Sequence, residues 1–176
     1  SRTYQGGFRV GGTKFVLDGS PQGRTAWLSK PYLLPPEGKG ADYVAYPTVE
    51  KYAFMRDVAA CIAAGVPVLG HANGDAAIQL LIDAVASEIG EAKVDHRTVI
   101  IHAQLMTETQ LDQAKALGIV PSFYAVHPYF WGDWHRKLFG DERASRISPA
   151  RSAIRRGIPF TIHNDAPVVP PMAMRL

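Results

Sequence analysis

The sequence predicts an α/β chain built on a parallel sheet, on three observations. Five short apolar runs alternate with four helical patterns at separations suited to crossover connections. The runs are apolar throughout, as strands covered on both faces require. The third observation is length: the chain has 176 residues, whereas a closed eight-stranded β/α barrel takes about 250. Any barrel here is incomplete.

The first strand is predicted over Thr13–Leu17, entered through Gly11-Gly12 and stopped by Asp18-Gly19, a turn signal. A Gly- and Pro-rich loop over 20–47 follows, longer than connections in compact domains usually are, and such loops often serve a site. Thr48 is read as the cap of a helix whose buried stripe is Phe54, Val58 and Cys61/Ile62, with Gly65 closing it. Val66–Gly70 reads as the second strand, leaving through His71-Ala72-Asn73-Gly74-Asp75 into a helix with Ile78, Leu81, Ile82 and Val85 on its covered face. Thr98–His102 is the third strand, and Thr107 with Gln110 makes a capping box for a helix that ends at Gly118. Ile119–Val126 is the fourth strand, followed by a polar, aromatic segment from His127 to Gly140. Ser148-Pro149 opens the last helix, closed by Gly157. Ile158–Ile162 is the last strand, leaving through His163-Asn164-Asp165 toward Pro167, Pro170 and Pro171.

Composition bounds the function classes. With 47% hydrophobic and 20% charged residues, the chain reads as one globular domain over 1–176. Its one cysteine, Cys61, cannot form an internal disulfide and reads as a small packed side chain. Nineteen basic against 16 acidic residues are scattered apart from Arg151, Arg155 and Arg156, which argues against a nucleic-acid footprint. No apolar run reaches the roughly 18–20 residues of a membrane span. The stretch Ser1-Arg2-Thr3-Tyr4-Gln5 lacks a signal-peptide core, so a cytoplasmic location is expected, any removed leader lying outside the sequence.

The informative constellation is polar residues at strand exits: His71, His102, His127, and His163 with Asp165. In a parallel sheet these exits share one edge, so distant residues converge there. Imidazoles and a carboxylate suit a zinc-like divalent ion that activates water and polarises a carbonyl, with Asp165 moving the proton to a leaving nitrogen. Each histidine alone is as well read as a packed ring bonded to a carbonyl; the joint pattern carries the argument. Asp75 reads as a helix cap and Asp18 as a turn residue, although either would also suit a metal-site loop. On spacing alone Lys14 is a partly exposed lysine at a strand start. The run from His127 through Trp131 to His135 suits a substrate pocket or a domain contact equally. Arg24 reads as structural before it reads as an anchor for an anionic substrate.

These residues also carry a resemblance. Gly12–Ser20 with Thr25-Ala26 and Pro31-Tyr32, the run His71–Ile78, the run Arg97–Leu105 and the run His163–Val168 together resemble the amidohydrolase superfamily, especially its YtcJ-like branch of metal-dependent hydrolases, which includes N-substituted formamide deformylase-like enzymes. The resemblance implies a partial TIM-like (β/α)8 barrel, about strands four to eight with their helices. It implies His71 and His102 as metal ligands, Lys14 as a carboxylated bridging ligand, and Asp165 as a metal-associated proton shuttle. His127 and His135 become catalytic candidates and Trp131 and Arg24 pocket candidates. The implied reaction is hydrolysis of a non-peptide C–N amide or related bond, with one or two zinc-like ions. Two departures stand out. Ile101 occupies a position where relatives often carry glutamate, and the strand-one His-X-His pair lies outside these residues.

From these departures follow further expectations: weak or absent metal binding and little hydrolysis by this chain alone, and exposed apolar edges that another barrel portion, another chain or a second copy would cover. The rival reading is a nonenzymatic α/β binding or assembly module with a degenerate metal site; a third is an ester or phosphoester hydrolase.

Overall fold

The computed structural model describes residues 3–90, 92 and 94–170. Ser1, Arg2 and Pro171 lie outside the described residues. Five strands, β1 (Thr13–Val16), β2 (Val68–Ala72), β3 (Val99–His102), β4 (Val120–Phe123) and β5 (Thr161–Ile162), pair in sequence order, every pair parallel. Between them run α1 (Lys51–Ala63), α2 (Asp75–Ile89), α3 (Glu108–Leu117), α4 (His127–Ala144) and α5 (Ala150–Arg156). This is the predicted α/β sheet, consistent with part of a β/α barrel.

Register separates the two faces of the sheet. Phe15, Gly70, Ile100 and Pro121 form a row on one face, and Val68, Ala72 and Phe123 share that face. It is sealed by α1, α2, α3 and α5, where Phe54, Val58, Leu81, Val85 and Leu111 complete the main core. The other face carries the rows Lys14–Leu69–Val99–Val120 and Val16–His71–Ile101–Ser122–Thr161. Much of it stays open: Val16 is 48% exposed, while Leu69, Val99, Ile101 and Val120 are only half-buried. Burying such apolar surface is worth about 25 cal/mol per Å², so this face is suited to a cover.

The structure corrects several local readings. Glu50, not Thr48, caps α1, its carboxylate accepting from the backbone N–H groups of Tyr52 and Ala53, while the Thr48 hydroxyl donates to the Val16 carbonyl. β2 runs on to Ala72, so His71 lies within the strand. Among the described residues there are five helices rather than four, because the polar, aromatic segment after β4 is itself a helix, α4. Pro128 is accepted there because the first turn has no partner for its missing N–H. Gly140 interrupts α4 with φ 78°, a left-handed kink that glycine adopts without strain.

The loop over 20–47 and α4 build a second, smaller core from Ala26, Leu28, Tyr32, Leu138 and Phe139. The indole N–H of Trp134 donates to the Gln22 carbonyl, and Arg143 donates to the carbonyls of Lys30 and Pro31. The long loop is therefore anchored over the exit edge of β2 and β3.

The capping box on α3 is present in both directions: Thr107 Oγ1 accepts from the Gln110 N–H at 3.2 Å, and Gln110 Oε1 from the Thr107 N–H at 3.0 Å. Gln110 also donates to the Asp75 carbonyl at 2.7 Å, tying α3 to the start of α2. Thr107→Ala is expected to cost about 1 kcal/mol, and Gln110→Ala more because it severs both links. Urea unfolding midpoints measure the order; equal midpoints for the two variants would contradict it.

Candidate functional site

Three imidazoles meet at the exit edge, His71 in β2, His102 at the end of β3 and His163 just after β5. His102 Nε2 lies 3.1 Å from His71 Nδ1, and His102 Nδ1 lies 3.0 Å from His163 Nε2. Behind them, His163 Nδ1 is 2.9 Å from Ser122 Oγ. At the other end His71 Nε2 lies 3.2 Å from the Gly19 carbonyl and 3.6 Å from an Asp18 carboxylate oxygen.

The meeting of His71 and His102 depends on an unusual backbone. Register pairs His71 with Ile101 and His102 with Ala72, which puts the two histidines on opposite faces of the sheet if the strands stay regular. His102 and Ala103 have φ of 76° and 49°, a left-handed turn uncommon for residues other than glycine. It ends β3 and lets the His102 ring reach His71. Such strain, about 1–3 kcal/mol per residue, persists where surrounding structure overrides it and collects at functional sites.

Asp18 organises the floor. Buried at 1% exposure, its carboxylate accepts from the backbone N–H groups of Trp27 at 3.0 Å, Asn73 at 3.0 Å and Gly74 at 2.7 Å. It thereby joins the end of β1, the long loop and the turn that follows His71 and β2. Burial pushes its pKa up to about 7, against the three hydrogen bonds. Gly74 is required at this turn, since a Cβ there would meet the Trp27 carbonyl oxygen at 1.8 Å. Asp75 is the first residue of α2, and Gly74 is the cap; the Asp75 carboxylate instead accepts from the Ser29 N–H at 2.9 Å and from the Ser29 hydroxyl.

Burial holds the imidazoles toward their neutral, lone-pair-bearing forms. His102 is pushed down to about 3 by desolvation, helped by the charges of His71, His163 and Lys14. His71 and His163 shift in the same direction, burial leading, with the Asp165 carboxylate opposing in both. Asp165 is exposed yet close enough to act on His71, His163 and Tyr124, while Lys14, exposed on the open face, acts on all three strand-end histidines.

A second polar group sits in α4 and the end of β4. Tyr124 stacks on His127 with centroids 4.7 Å apart and on His163 at 5.5 Å; His127 lies 4.9 Å from His135 and 6.4 Å from Trp131. Both nitrogens of His127 and of His135, the Trp131 N–H and the Tyr124 hydroxyl are buried without partners. The signal for this arrangement was present: His127, Trp131, His135 and Leu138/Phe139 recur at helical spacing. Arg24, with φ 58°, donates to the Pro35 carbonyl at 3.1 Å and lies 5.8 Å over the Trp134 ring, within the loop and its α4 anchor.

His71 Nδ1 and His102 Nε2 suit one cation, since two nitrogens each about 2.0–2.1 Å from a tetrahedral zinc lie roughly 3.3 Å apart. They supply two of its four positions. Among the described residues no group of three or more His, Cys, Asp or Glu side chains could hold a metal ion. A hollow of about 220 Å³ near Ser29, Thr107 and Arg143 lies away from these histidines. Its Asp75, Arg143 and Arg146 already pair with Ser29, backbone carbonyls and Glu108.

The model of the amidohydrolase family matches residues 2–175. The chain belongs to the amidohydrolase family. The chain is 26% identical over 163 residues to the putative amidohydrolase YtcJ of Bacillus subtilis strain 168, covering 91% of this chain and 29% of that protein. It superposes on an uncharacterized metal-dependent hydrolase from Pyrococcus furiosus with a TM-score of 0.79 at 25% identity, covering 96% of this chain and 33% of that one. A similar hydrolase from Pyrococcus horikoshii OT3 gives 0.75 at 25% identity, with 92% and 31% covered. The chain thus spans about a third of the length of the relatives it matches. Among the described residues no helix is long and apolar enough to cross a membrane.

Proposed function

We propose that this amidohydrolase supplies part of the active site of a metal-dependent hydrolase that cleaves a non-peptide C–N amide or related bond. The observation that carries the reading is the convergence of His71 Nδ1 and His102 Nε2 at 3.1 Å, on neighbouring strand ends. A divalent, zinc-like ion held there would polarise the scissile carbonyl and acidify a water. Asp165, at the exposed rim, takes the proton from the attacking water and delivers it to the leaving nitrogen. Lys14 carries a positive charge toward the histidines; carboxylation would reverse its sign and make it a ligand for a second ion. Tyr124, Trp131, His127 and His135 form the wall beside this site, the two imidazoles as candidate acid–base groups and Trp131 as a substrate contact. Because the chain spans a third of its relatives, the remaining ligands and the cover for the open sheet face come from a further barrel portion or another chain.

Zinc titration by calorimetry tests the metal pair. His71→Ala and His102→Ala are each expected to reduce uptake by this chain, which alone binds weakly and turns over little. A panel of amide, N-formyl, ester and phosphoester substrates, run on the longest natural form, tests the reaction. There Asp165→Asn is expected to lower turnover about 100-fold or more while leaving the unfolding midpoint in place; equal turnover would remove its role. The rival reading, a binding module with a degenerate metal site, is favoured by the lack of a third convergent ligand among the described residues. It predicts no zinc uptake.

A further inference from the structure

We infer that His163 is a positioning residue for His102, holding its ring through an imidazole–imidazole hydrogen bond that is itself oriented by Ser122; the inference rests on the metal reading above. His102 stands on a left-handed backbone at the end of β3, so strand geometry does not aim its ring. Its two nitrogens are aimed by neighbours, Nε2 toward His71 at 3.1 Å and Nδ1 toward His163 at 3.0 Å.

A neutral imidazole carries one N–H and one lone pair. If Nε2 of His102 offers its lone pair to an ion, the proton sits on Nδ1 and needs an acceptor. His163 Nε2 is that acceptor, which leaves the His163 proton on Nδ1, where Ser122 Oγ accepts it at 2.9 Å. The proton order thus follows step by step from the ligating nitrogen of His102 back to the Ser122 hydroxyl, which can accept, and no ring has to become charged. A partner of this kind behind a metal-ligating histidine sets its tautomer and raises its basicity, and removing it costs about 10–100-fold in metal affinity. Placement follows from the sheet: Ser122 pairs with Thr161 across β4 and β5, and His163 is two residues further along, on the same side.

The test compares zinc affinity of the chain with that of His163→Leu, His163→Asn and Ser122→Ala, together with histidine ¹⁵N NMR of the zinc-loaded protein. His163→Leu is expected to lower affinity about 10-fold or more and to expose the His102 Nδ1–H to solvent exchange. His163→Asn, whose amide oxygen can accept that proton, is expected to recover part of the loss. Ser122→Ala is expected to lower affinity less and to disturb the His163 signals; it carries the test should His163→Leu fail to fold. Unchanged affinity and His102 signals in the folded variants overturn this inference alone, as does ligation of His102 through Nδ1. Absence of zinc uptake by the unaltered chain overturns the metal reading and this inference with it.

Discussion

Asp18→Ala is expected to destabilise the fold by about 3–5 kcal/mol, because it leaves several buried donors without an acceptor. Three backbone N–H groups, those of Trp27, Asn73 and Gly74, lose their acceptor at once. Each donor left buried and unpaired costs about 1–3 kcal/mol, partly relieved if water enters. The damage is local to the site, because these groups lie on the long loop and on the turn after His71. Zinc uptake should therefore fall along with the urea midpoint. Asp18→Asn keeps the shape but only one accepting oxygen, and should fall between the wild type and the alanine variant. An alanine variant within 1 kcal/mol of wild type would show that the three donors find other partners.

Acid is expected to unfold the metal-free chain well before its surface carboxylates protonate. In the folded chain burial holds His102 and His127 at about 3 and His135 at about 4, against an ordinary value of 6.5. Below pH 6.5 the unfolded chain therefore binds protons that the folded chain refuses. Stability from these groups is fully present above pH 6.5 and is lost as pH falls toward 3. Asp18 acts in the opposite sense: raised from 3.8 to about 7, it keeps a proton in the folded state that the unfolded chain releases between those values. It offsets one histidine, so these four groups leave an uptake of about two protons on unfolding near pH 5, or roughly 2.7 kcal/mol per pH unit, and the lowered His71 and His163 add to it in the same sense.

Unfolding midpoints at pH 7 and pH 5 measure this slope, and a flat profile would contradict it. His135→Leu is expected to reduce the slope by about one proton and to raise stability at pH 5, because it removes a ring whose two nitrogens are buried without partners. If that ring serves the reaction, the same variant loses turnover as it gains stability, a pairing that a merely structural histidine would not produce.

The alternation of apolar runs with helical stripes was enough to read the parallel sheet, since each run had to be buried and each stripe needed a sheet to cover. Ends were harder to place. Thr48 has a capping side chain, but Glu50 reaches two free N–H groups and takes the cap. The helix after β4 was hidden by Pro128, Gly132 and Gly140, residues that usually interrupt helices, although the stripe of His127, Trp131, His135 and Phe139 marked its buried face. Asp18 looked complete as a turn residue because its neighbour is glycine; two of its three backbone partners lie 55 and 56 positions away.

By itself the sequence determined which residues would arrive at one edge of the sheet, because parallel crossovers bring every strand exit to the same side. It could not determine that His71 and His102 would touch. Regular alternation places them on opposite faces, and only a positive φ at His102 and Ala103 brings the rings together. A lone strand has no reason to adopt that turn. The packed loop, the Asp18 clamp and the His163 contact, all long-range, supply the free energy that holds it.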